Sequence, residues 1–112
     1  MLTIEALKSF GADADEGLKR CVNNEEFYFK MIGKAVNEPS FDMLYSALDE
    51  KDYDMAFEKA HALKGVLGNL ALTPIYDPMS EMVELLRGRT DTDYSKYIET
   101  IKEKKKELEA LL

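Results

Sequence analysis

Apolar residues recur along this chain at intervals of three and four, and the run Ala56, Ala60, Leu63, Leu67 and Leu70 is the clearest case. Spacing of i, i+4, i+7, i+11 and i+14 lays one continuous stripe along an α-helix. Such a helix is marginal in water by itself and is stable only when its stripe is covered by other helices. No segment shows the two-residue alternation of a strand, so the fold class read from the sequence is all-α. With 112 residues and 46% apolar content, the chain is expected to form one domain over residues 1–112 around a single core.

Caps and breakers divide the chain into segments. A short helix over Thr3–Phe10 is ended by Gly11, and Asp13 or Asp15 caps a second one through Arg20. Asn23 with Glu26 resembles a capping box ahead of Phe27–Val36. After the break Asn37-Glu38-Pro39, Ser40 is expected to cap a helix reaching about Glu50. Asp52 starts the long helix that carries the stripe and ends near Leu72. Thr73-Pro74 and Asp77-Pro78 are both start signals, so the next helix begins at the first, or begins or bends at the second. It is expected to end at Arg87-Gly88. Thr90 through Asp93 form a polar connection, and Tyr97, Ile98, Ile101, Leu108 and Leu111 keep helical spacing beyond Tyr94. Four longer helices with short connections imply an antiparallel four-helix bundle, joined by additional short amino-terminal helices.

The single histidine of the chain, His61, lies on the striped helix but not on its stripe. At about 100 degrees per residue the stripe centres roughly 140 degrees from His61, whereas Lys64, Gly65 and Gly68 fall within about 60 degrees of it. The imidazole is therefore expected to face solvent over nearly bare backbone. Each glycine costs a helix interior about 0.5–1 kcal/mol relative to alanine, and access to the ring is the compensation that the angular placement suggests. Imidazole is also the side chain whose protonation ordinarily changes near neutral pH, which suits it to nucleophilic and proton-transfer work.

The segment His61-Ala62-Leu63-Lys64-Gly65, with Gly68 a turn later, resembles the H-x-L-K-G signature of histidine phosphotransfer (HPt) domains. The likeness extends loosely over nearly the whole chain, since HPt domains are small helical bundles with the histidine midway along a central helix. It implies that His61 accepts a phosphoryl group on Nε2 from the phospho-aspartate of a receiver domain and passes it to another receiver. The implied partners are receiver domains of response regulators and hybrid histidine kinases, which bring Mg2+ themselves, so no cofactor or metal is expected on this chain. Lys64 would pair with the phosphoryl oxygens, and Phe57, one turn before His61, is a candidate docking contact. Leu2, Ile4 or Phe10 of the first helix are further candidates to cover that region. Val66, Leu67 and Ala71 depart from the small residues and glycine often found in the family. Where many members place a polar side chain from the next helix, this chain reads Met79, Met82 and Val83, and no partner for the imidazole can be named from them.

Other classes fit less well. The chain is short for a kinase with its own nucleotide pocket and has no Gly-rich phosphate loop, so a phosphocarrier without autonomous kinase activity is expected. A net charge of -7 argues against nucleic acid, and Lys102-Glu103-Lys104-Lys105-Lys106 is interleaved with acid like a solvated helix face. The Glu58-x-x-His61 spacing of di-iron carboxylate bundles needs a second such motif, and the chain has no second histidine. The remaining alternative is an HPt-like scaffold that binds partners without transferring phosphate. One cysteine, Cys21, no amino-terminal signal pattern and no bilayer-length apolar run lead us to expect a monomeric cytoplasmic protein without membrane partners, and Met1 favours a free-standing one.

Overall fold

Short polar side chains and left-handed residues set most of the helix boundaries. The computed structural model describes residues 1–112 and contains seven α-helices and no strand. They are α1 (Ile4–Phe10), α2 (Ala14–Arg20), α3 (Glu25–Val36), α4 (Ser40–Asp49), α5 (Tyr53–Asn69), α6 (Thr73–Arg87) and α7 (Ser95–Glu109). Thr3, Asp13, Asn24 and Asp52 each accept a hydrogen bond from the third backbone N–H beyond them, satisfying a donor that the first helical turn would otherwise leave unpaired.

Two expected caps differ. Val22 and Asn23 adopt left-handed backbone (φ 50° and 59°), which reverses the chain one residue late and gives the cap of α3 to Asn24 rather than Asn23. At α4, Ser40 does not cap. Its hydroxyl donates to Glu38 Oε1 (3.1 Å), the Glu38 carboxylate also accepts from the Ser40 N–H (3.4 Å), and Pro39 stands at the cap position without a side-chain bond.

Helix α6 begins at Thr73 with Pro74 in its first turn and continues through Pro78. Pro78 lies inside the helix, where it forgoes the bond its missing N–H would give to the Pro74 carbonyl and its ring crowds that carbonyl, a local cost set against the burial of Ile75, Met79, Met82, Val83 and Leu86 on the same helix. Helices α4, α5 and α6 end alike, on the left-handed residues Lys51, Ala71 and Arg89 (φ 56°, 55° and 52°). In each, the next N–H turns back to a carbonyl of the last turn: Asp52 to Ala47 (2.8 Å), Leu72 to Leu67 (3.0 Å), Thr90 to Leu85 (3.1 Å).

Helix α5 lies between α4 and α6, α6 packs on α7, and α1 and α3 both meet α2 and α7. The stripe is buried throughout, from 0% exposed at Ala56 and Ala60 to 5% at Leu70, inside a cluster of 26 buried residues that contains no charged side chain. Met79, Met82 and Val83 of α6 are fully buried in the same cluster. At the far end of α5, the amino-terminal segments donate to the carbonyl of Gly68, which already accepts from the Ala71 N–H (3.1 Å), and to those of the two residues that follow the helix. Arg20 Nη1 donates to the Gly68 carbonyl (2.6 Å), the Tyr28 hydroxyl to that of Leu70 (2.8 Å), and the Asp13 N–H to that of Ala71 (3.0 Å). No helix is long and apolar enough to cross a membrane.

Candidate functional site

The outward face of α5 opposes the buried stripe, and His61 stands on it, exposed to solvent, eight residues beyond the start of the helix. Gly65 is exposed, and a Cβ built on it would meet nothing within 4 Å. Lys64 is half-buried and forms no ion pair. The three residues border an open depression of about 270 Å³ whose other walls are Arg20 of α2, Gly68 and Asn69 of α5 and Tyr76 of α6. Two fixed cations, an imidazole, a carboxamide and a phenol line it, without a carboxylate among them. That donor-rich rim suits an oxyanion.

Gly68 does not lie over open space. A Cβ there would sit 3.0 Å from Cε1 of Tyr76, so the Tyr76 ring from α6 already covers the position that sequence periodicity assigns to access. Its carbonyl, moreover, holds the Arg20 guanidinium. Gly65 keeps the role of bare surface, and Gly68 admits a neighbouring ring.

Phe57 is half-buried and stacks on His61, with ring centroids 5.5 Å apart and planes inclined by 26°. The guanidiniums of Arg89 and Arg87 lie 4.7 Å and 5.3 Å from the centre of the same Phe57 ring. All three arginines of the chain thus border the His61 face, each in an exposed ion pair: Arg20 with Glu16, Arg87 with Glu84, Arg89 with Asp54. None of the walls of the depression comes from α1, so Leu2, Ile4 and Phe10 do not form them.

Sequence reasoning missed Arg20 and Tyr76. Both come from other helices, and periodicity within α5 carries no information about them. The one available signal was the position of Tyr76 one turn into α6, directly after the reversal that brings α6 back along α5. Glu58 is exposed, and no group of three or more His, Cys, Asp or Glu side chains is placed to hold a metal ion. Scans of the chain against protein-family models, curated proteins and solved structures return no match.

Proposed function

We propose that this chain is a histidine phosphocarrier of the HPt type, in which α4 to α7 form an antiparallel four-helix bundle and α1 to α3 are additional amino-terminal helices. The observation that carries the reading is the pairing of an exposed His61 with the open surface over Gly65 and the unpaired, half-buried Lys64 one turn on. In the proposed step a nitrogen of His61 attacks the phosphorus of a receiver's aspartyl phosphate. A P–N bond forms, the P–O bond to the aspartate breaks, the carboxylate leaves, and the ring gives up its remaining proton to water. Return of the group to a second receiver reverses the sequence. Transfer of this kind depends on in-line placement and on neutralising charge on the phosphoryl oxygens. A rigid helix supplies the first, and the Lys64 ammonium contributes to the second. The Mg2+ that such transfer uses belongs to the receiver.

The test is to mix the protein with phosphorylated receiver domains and to follow acid-labile, alkali-stable phosphate on it, with His61→Gln as the control. Labelling of the wild type and none of the variant supports the carrier. Stable binding of receivers with no phosphate on the wild type instead assigns a scaffold that holds partners without transfer.

A further inference from the structure

An exposed imidazole on a helix can exchange among rotamers and swing about its Cβ–Cγ bond, whereas transfer needs the lone pair of one nitrogen aligned with a phosphorus. In this chain the ring lies against an aromatic neighbour, Phe57. We propose, resting on the phosphocarrier reading, that Phe57 is a positioning residue which holds the plane of the His61 ring, with Arg89 fixing Phe57 from the α6–α7 connection.

The i, i+4 spacing places the two rings one turn apart on one face, and they lie near parallel at 5.5 Å. Phe57 is in turn held: it is half-buried, packed against the core cluster, and covered by the Arg89 guanidinium at 4.7 Å. Arg89, though exposed, is itself bonded at three points. Its Nε donates to Asp54 Oδ1 (2.7 Å), its Nη1 donates to the Leu86 and Arg87 carbonyls (3.0 and 3.2 Å), and its backbone is the left-handed residue that ends α6. Order thus passes from the end of α6 through a guanidinium and a phenyl ring to the nucleophile. An imidazole and two guanidiniums are disposed around the Phe57 ring, so a partner docking on it would have to share that ring with them.

The experiment compares wild type, Phe57→Leu and Phe57→Tyr in single-turnover transfer from a phosphorylated receiver domain, alongside the proton chemical shifts of the His61 ring. Leucine keeps the apolar contact with the core but removes the flat partner, and tyrosine restores it. We expect Phe57→Leu to lower the saturating transfer rate about tenfold while the half-saturating receiver concentration moves by less than about twofold, and Phe57→Tyr to recover the rate. The His61 ring protons, shielded by Phe57 in the wild type, should lose that upfield displacement in Phe57→Leu and keep it in Phe57→Tyr. A raised half-saturating concentration with an unchanged saturating rate would make Phe57 a docking contact and overturn the proposal, as would unchanged kinetics. Unshielded His61 protons in the wild type would overturn it too. That last measurement needs no partner, so failure of every receiver to label His61 sinks the phosphocarrier reading while the spectrum still decides the stack.

Discussion

Gly65 and Gly68 look equivalent in the sequence, three residues apart on one helical face, and the folded chain gives them different work. Periodicity fixes the angle at which a residue leaves its helix but not what stands opposite it. Nothing stands opposite Gly65, so Gly65→Ala should recover most of the glycine cost and stabilise the fold by about 0.5–1 kcal/mol. At Gly68 the added methyl would meet Tyr76 Cε1 at 3.0 Å and Cδ1 at 3.4 Å, so the half-buried ring must yield a few tenths of an ångström. Gly68→Ala should therefore stabilise distinctly less than Gly65→Ala, or destabilise, when the two are compared by urea or thermal denaturation. A bulkier change separates stability from the proposed transfer: Gly65→Gln removes a helix-weakening glycine yet fills the open surface beside His61, and should slow labelling by a receiver. Faster labelling of that variant would remove access as the reason for the glycine.

At the level of elements, most helices were legible because each carries its own signals. Asp52 announces α5 and the stripe of α5 is buried residue for residue, whereas Thr73-Pro74 and Asp77-Pro78 were two competing start signals for α6, of which the first is used. Boundaries set by left-handed non-glycine residues were poorly legible, since Val22, Lys51, Ala71 and Arg89 have no compositional mark of that geometry, and only Asn23 belongs to a residue type that favours it. The grip of α2 and α3 on the last turn of α5, which joins residues more than forty positions apart, was not legible. Gly17 makes that grip possible: a Cβ there would overlap the Tyr28 hydroxyl and come within 2.7 Å of the Leu70 carbonyl oxygen. Gly17→Ala should destabilise the fold by about 1–3 kcal/mol despite alanine's better helix propensity, because backbone and a buried ring must both move. Tyr28→Phe should cost about 1 kcal/mol at neutral pH through the lost hydrogen bond to Leu70. It should also change the alkaline limb of stability. Burial, reinforced by the charges of Cys21 and Asp13, pushes the Tyr28 hydroxyl from 10.0 up to about 12. The folded chain therefore keeps that proton where the unfolded chain has lost it, so this contribution is whole below about pH 10 and falls as pH rises toward about 12. Tyr45 and Tyr53 are raised to about 12 as well and share the decline. Urea midpoints followed up the alkaline range should fall less steeply for Tyr28→Phe than for the wild type.

Across the whole molecule, α5 serves two separate ends with two separate faces. Its inner face supplies Ala56, Ala60, Leu63 and Leu67 to a core between α4 and α6, and its outer face carries His61, Lys64 and Gly65 into water. Because His61 lies outside the buried cluster and its ring touches the protein chiefly through the stack on Phe57, substituting it should leave stability within about 1 kcal/mol. Leu63, two residues on and 1% exposed, is the opposite case: Leu63→Ala empties a core position and should cost about 2–5 kcal/mol. The Phe57 ring joins the two faces, since it touches the core cluster on one side and the imidazole on the other. Denaturation curves and receiver labelling measured on one set of variants should then sort into two classes. His61→Gln should melt close to the wild type and take no label, while Leu63→Ala should melt early yet, at a temperature where it is still folded, take label at close to the wild-type rate. A His61→Gln variant that unfolds with Leu63→Ala would place the imidazole among the groups that hold the bundle together, and the division of labour across α5 would fail with it.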